Sequence, residues 1–316
     1  MIKSRRSFII GIKNTTLHKK EKDFIKKFKP WGVILFSRNI KTIKQTRELT
    51  DEIRKIFKDP KFPILIDEEG GRVTRLKKII ITKNFTGDYF GKLYKKDKKK
   101  FEIYYKIFIN QISYILVKMG INLNTVPLLD VRRVNSNNII GDRAFGYKPK
   151  LVSEIGDFCI KQFSSNNIGT VMKHIPGHGL AKVDSHKSTP IIKKTLKQLK
   201  QIDFYPFKNK QCIFAMTAHI IYNAIDKEFT ATHSKNVIKL IRSNIRFKNL
   251  LISDDISMNG LKFSIKVNTL KAFKAGCNIV LHCNGNYREM INVGKNSPLV
   301  SKFIIKKTSQ FYKILS

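Results

Sequence analysis

Short apolar runs recur along the whole chain, separated by stretches whose apolar positions repeat every three or four residues. The runs are SFIIGI (7–12), WGVILF (31–36), FPILID (62–67), INLNTVPLLDV (121–131), IGTVMKHI (168–175), CIFAMTAH (212–219), NLLISDDI (249–256) and AGCNIVLHC (275–283). Runs of this length, apolar throughout rather than alternating, read as strands buried on both faces. Between them, EKDFIKKF, IKTIKQTRELTDEIRKIF, FEIYYKIFINQISYILVKMG, EIGDFCIKQFSSN and SKNVIKLIRSNI read as helices that bury one stripe. Strands alternating with helices imply parallel pairing, and eight such units predict an α/β fold of the closed (β/α)8 TIM-barrel type. Residues 77–100 are lysine-rich and weakly patterned, and are expected to form a surface connection. Residues 285–316 are expected to supply at least one closing helix. The reading is one barrel domain over residues 1–316, with no second domain.

Nearly every apolar run ends in polar residues: Ser37-Arg38-Asn39, Asp67-Glu68-Glu69, Asp130, Lys173-His174, His219, Asp254-Asp255 and His282. In a barrel these carboxyl ends open on one face, where the loops after the strands build the active site. A catalytic pocket is therefore expected there.

Composition changes this picture little. No window of about 18 apolar residues exists, so no membrane insertion is expected. The start, MIKSRRSFIIGIKN, has too short an apolar stretch for a secretory signal, which predicts a cytoplasmic protein. Four cysteines without a C-x-x-C pair read as reduced core residues. The formal net charge of +39 suits an anionic partner. However, the lysines are spread along the entire chain, many beside isoleucine and asparagine, with no arginine-rich arm and no aromatic–basic interleaving. General drift toward those residues accounts for the charge, and nucleic acid is not the expected partner.

The chemistry concentrates in VMKHIPGHGLAKVDSHKSTP (171–190), which holds His174, His178, Asp184 and His186. Pro176, Gly177 and Gly179 exclude a helix, so His174 and His178 do not form the helical zinc-binding device, and no metal or other cofactor is expected. Asp184 lies two residues before His186 on this loop. A carboxylate so placed fixes an imidazole's tautomer, and such a histidine can give and take a proton. At the end of NLLIS, adjacent strand residues face opposite ways, so one of Asp254 and Asp255 is expected to enter the pocket as a nucleophile and the other to cap the following turn. Asp67-Glu68-Glu69-Gly70-Gly71-Arg72 fits either magnesium or sugar hydroxyls, and the company of Arg143, Lys173 and His174 favours hydroxyls.

Taken together these stretches resemble the bacterial β-N-acetylhexosaminidases of glycoside hydrolase family 3, the peptidoglycan-recycling type. KHIPGHG (173–179) and DSH (184–186) match that type's K-H-F-P-G-H-G and D-S-H, and IDEEGGRVTRL (66–76) its I-D-Q-E-G-G-R-V-x-R-L. GVILFSRN (32–39), RAFG (143–146), MTAH (216–219) and SDDISM (253–258) follow in register. The resemblance implies a retaining exo-hydrolase of β-1,4-linked N-acetylglucosamine that acts on muropeptide or disaccharide fragments in cell-wall recycling, as a monomer. It makes Asp254 the nucleophile and His186 the acid and base, partnered by Asp184. It also assigns the sugar's hydroxyls and N-acetyl group to Asp67, Arg75, Arg143, Lys173 and His174. A β-N-acetylglucosaminide phosphorylase, a family 3 β-glucosidase and a basic nucleic-acid-binding or scaffold barrel are the competing readings. Four departures stand out: Glu68 for glutamine, adding negative charge beside Asp67; Ala144 for serine; Leu180 after GHG; and Asn249 for glycine.

Overall fold

The structure is a computed structural model that describes residues 2–133, 139–181 and 188–316. All eight apolar runs form strands of one barrel: β1 (Arg6–Gly11), β2 (Pro30–Leu35), β3 (Ile64–Ile66), β4 (Leu123–Asn124), β5 (Gly169–Ile175), β6 (Phe214–Thr217), β7 (Leu250–Asp255) and β8 (Ile279–His282). Every pair is parallel, each strand lies beside its sequence neighbours, and β1 closes the ring against β8. A two-stranded ribbon, Ile191–Ile192 beside Ile221–Tyr222, lies outside it.

Strand alternation divides the core into two layers. Ile9, Trp31, Leu65, Leu123, Val171, Phe214, Leu250, Ile252 and Ile279 fill the barrel, while Phe8, Ile10, Val33, Ile64, Met172, Leu251 and Val280 face the surrounding helices. The last helix, Lys302–Ile314, plugs the amino-terminal end. Trp31 Nε1 donates to Thr308 Oγ1 at 2.9 Å, and the Phe311 ring meets Phe214 edge-on at 5.4 Å. A second helix, Tyr287–Asn296, precedes it. The run over 121–131 is a regular strand only at Leu123–Asn124; past Pro127, which has no amide hydrogen, pairing with β5 resumes as a single parallel bridge between Leu128 and Lys173.

The surface connection expected over 77–100 is a correction. Gly87–Lys96 is a helix, whose first turn is capped where Thr86 Oγ1 accepts the Tyr89 amide at 3.0 Å. The next helix, Lys98–Lys118, starts three residues earlier than its apolar pattern.

Candidate active site

Period two along β7 aims its residues. Leu250 and Ile252 point into the barrel and Leu251 points out, so Asp254 continues the inward row. Its carboxylate reaches a cavity of about 330 Å³ at the carboxyl ends of the strands. Asp255 faces the other way and orders the following turn, accepting from the Ser257 amide at 3.0 Å and the Cys283 amide at 3.1 Å. On β5 the alternation breaks: the register against β6 shifts between Lys173 and Ile175, and both Lys173 and His174 line the cavity.

Asp67, Arg75, Arg143, Lys173, His174 and Asp254, all expected at the site, line this one cavity. Asp184 and His186 lie outside the described residues. Of the other strand ends, Glu69 also lines it, whereas Asn39, Asp130, His219 and His282 serve as supports behind it. His219, for instance, spans from Thr232 Oγ1 at 2.8 Å to the Asp255 carbonyl at 2.9 Å. The cavity also takes in Cys283. That cysteine is half-buried, whereas the other three thiols are fully buried, and all four are free.

One wall is a row of alternating charge. Arg75 meets Asp67 at 3.2 Å, and Lys173 Nζ sits between Asp67 at 3.2 Å and Glu69 at 2.6 Å. Glu69 in turn takes a two-pronged contact from Arg143, 2.8 Å on each oxygen. Thr125 also bonds Asp67. Burial pushes the Asp67 carboxyl up, but Lys173, Arg75 and Thr125 hold it far below the usual carboxylate range. Against the same burial, Arg143 and Lys173 hold Glu69 near 2. Lys173 stays charged, because its two carboxylates outweigh desolvation. Such a wall offers fixed donors and acceptors to hydroxyl groups before any ligand arrives. Glu69 is the member that sequence reasoning did not assign, although its place two residues from Asp67 puts it on the same side of an extended chain.

The opposite side holds the reactive candidates. Desolvation pushes the Asp254 carboxyl up; His219, His174, the Asp255 amide (2.8 Å to Oδ1) and Lys173 more than offset it, so the group is ionised. His174 Nε2 lies 4.0 Å from Asp254 Oδ2. The other ring nitrogen, Nδ1, lies 2.7 Å from the fully buried Asp130. Desolvation raises the Asp130 carboxyl, but His174 and His178 pull it below its ordinary value. As a carboxylate it can only accept, so Nδ1 carries the proton. Asp130 also accepts the backbone amides of His174 at 3.2 Å and His178 at 2.6 Å. Burial, and then His174, depress the His178 imidazole to about 4, so it is neutral at physiological pH.

Glu68 is turned away from the cavity instead of adding its charge to the wall beside Asp67. It is absent from the cavity lining, and its buried Oε2 accepts from the Arg75 amide at 2.7 Å and Thr74 Oγ1 at 3.0 Å. Ala144 is buried in a small cluster with Leu128 and Ile140, and Leu180 packs against the main core. The Asn249 side chain donates to the Cys212 carbonyl at 2.9 Å. Among the described residues, no group of three or more His, Cys, Asp or Glu side chains is arranged to hold a metal ion.

Comparison with known proteins places the chain in a family. Residues 8–308 match the glycosyl hydrolase family 3 N-terminal domain. The chain is 31% identical over 287 residues to a beta-hexosaminidase of Hydrogenovibrio crunogenus, aligning 87% of this chain with 78% of that one. It is 32% identical over 266 residues to a beta-hexosaminidase of Neisseria meningitidis, with 80% and 71% covered. Its fold matches the crystal structure of NagZ from Neisseria gonorrhoeae in complex with N-trifluoroacetyl-D-glucosamine at a TM-score of 0.85 and 26% identity, covering 99% of this chain and 90% of that one. On that breadth of agreement, the chain belongs to glycosyl hydrolase family 3.

Proposed function

We propose that the protein is a retaining β-N-acetylhexosaminidase that removes terminal β-1,4-linked N-acetylglucosamine from muropeptide fragments. The observation that carries this reading is the Asp254 carboxylate, which continues the inward row of β7 into a barrel-mouth cavity whose wall is a row of alternating charge. The named relatives are beta-hexosaminidases, and a neighbouring fold binds an N-acylated glucosamine; both support the sugar assignment.

In the first step Asp254 attacks the anomeric carbon as the bond to the leaving oxygen breaks, and His186 gives that oxygen its proton. The oxocarbenium-like transition state is stabilised by the carboxylate beneath the ring. In the second step His186 takes a proton from water, whose oxygen displaces Asp254 and restores the original anomeric configuration. Asp184 holds the His186 imidazole. Asp67, Arg75, Arg143, Lys173 and His174 grip the sugar's hydroxyls and N-acetyl group. The roles of Asp184 and His186 rest on the sequence. Buried free thiols suit a reducing cytoplasm, where the barrel would act as a monomeric catalytic domain.

The test is release of p-nitrophenol from its β-N-acetylglucosaminide and β-glucoside by wild type and Asp254→Asn, with chelator, and with and without phosphate. We expect turnover of the N-acetylglucosaminide that survives chelation and falls about a thousandfold or more in the variant. Sugar phosphate as the product would make it a phosphorylase, preference for the glucoside would overturn the sugar, and no cleavage by folded wild type would end the enzyme reading.

A further inference from the structure

The helix Lys98–Lys118 is apolar on two opposite faces. Phe101, Tyr105, Ile109, Ile112 and Leu116 are buried against the barrel. Pointing away from them, at alternating spacings of four and three, come Ile103, Ile107, Asn110, Tyr114 and Val117. The four apolar members of this row are 56, 60, 60 and 46% exposed, and Asn110 accepts a bond from Asn166 Nδ2 at 2.9 Å. At 3.6 residues per turn the five fall within a sector of about 80°, in a stripe roughly 20 Å long. Single exposed apolar residues are ordinary, but a continuous stripe marks a surface that meets something.

Charge indicates what it meets. Exposed Lys99, Lys100, Lys106 and Lys118 flank the stripe, and the Lys118 ammonium lies 5.5 Å from the Tyr114 ring centroid. From Lys77 to Lys118 the chain carries eleven lysines against three acidic residues. A second copy would bring the same lysines and a second net charge of +39. A nucleic acid would engage the lysines but leave Ile103, Ile107 and Val117 without a role, since bases stack on aromatic platforms. An anionic lipid surface uses both features. Its phosphates pair with the lysines, its headgroup boundary takes the aliphatic stripe, and tyrosine suits that depth.

We propose that the outward face of helix Lys98–Lys118 docks the protein peripherally on an anionic bilayer. No helix among the described residues is long and apolar enough to cross a membrane, and docking requires none, because this helix would lie in the plane of the surface. A helix that returns the chain between parallel strands runs roughly along the barrel axis. Docking therefore lays that axis along the membrane, with the mouth at Asp254 opening sideways and unobstructed.

The test is co-sedimentation with vesicles of phosphatidylcholine alone and of phosphatidylcholine with about one-third phosphatidylglycerol. Wild type is compared with the exposed-site double variant Ile103→Ser/Ile107→Ser, and lipid-free sedimentation velocity is run on both. Unchanged hydrolysis of a soluble chromogenic glycoside verifies that the variant is folded. Wild type should bind only the anionic vesicles, and the variant should bind them about tenfold or more weakly. The proposal fails if wild type ignores anionic vesicles, or if the variant binds equally, which would leave charge alone. A lipid-free wild-type dimer that the substitutions dissociate would instead make the face a self-interface.

Discussion

The carboxyl group of Glu68 is turned into the protein beside the first turn after β3, with one oxygen bonded three ways and the other, Oε1, without a partner. Burial is the main cause that raises it from its ordinary 4.5 to about 7, against the pull of the Arg75 amide and Thr74. Between those two values the folded protein keeps a proton that the unfolded chain has released. The stabilising contribution is therefore complete below about 4.5 and is lost as pH rises through about 7. A glutamine would present the same acceptor and hold no titrating proton. Glu68→Gln should flatten the stability profile between pH 5 and 8 and add roughly 2–3 kcal/mol at the alkaline end. Urea unfolding at several pH values decides it: a profile as steep as wild type would remove Glu68 from the account. That Glu68 is a departure was legible in its motif. Which way it faces was not, because orientation just past a strand end depends on the tertiary partners it finds.

At the scale of elements, the helix Gly87–Lys96 shows why one part of the fold stayed hidden. Its sequence, GDYFGKLYKK, carries two glycines and three lysines, and glycine disfavours a helix by about 1 kcal/mol relative to alanine. The glycines are there for proximity. A Cβ on Gly87 would overlap the Arg143 carbonyl, and one on Gly91 the Phe145 carbonyl. Bare backbone lets this helix press against the segment that presents Arg143 to the cavity. Two effects compete in Gly91→Ala: a propensity gain of about 1 kcal/mol, and a backbone clash of about 1–3 kcal/mol or more. The clash should win, lowering stability and raising KM more than it lowers kcat, as Arg143 shifts relative to Lys173. Kinetics beside thermal unfolding would test this, and a stabilised variant with unchanged KM would refute it.

For the whole molecule, the eight strands were readable because both faces of each are buried, leaving continuous apolar runs with a polar residue wherever one reaches the mouth. The cluster of Asp67, Lys173, His174 and Asp254 followed from those ends. The division between residues lining the cavity and residues bracing it did not, since Asp130 and His219 look in sequence like their neighbours and act only through contacts made across the barrel. The charge of +39 is likewise a property of the whole. A field of that sign should speed capture of an anionic substrate, such as the muropeptides proposed above, and leave neutral glycosides alone. We expect kcat/KM for an anionic fragment to fall as salt rises from about 0.05 to 0.5 M, with little change for p-nitrophenyl N-acetylglucosaminide. Equal salt sensitivity of the two substrates would remove the field from the mechanism.

Asp130 has one more consequence. A single carboxylate holds the His174 ring and, through the His178 amide, the root of the segment that leads to residues 182–187. The cavity wall at His174 and the start of the loop after β5 are thereby braced by one buried group. On the roles proposed for Asp184 and His186, sequence changes beyond that anchor would alter proton transfer while Asp130 keeps His174 in place, so one scaffold could be respecialised a loop at a time.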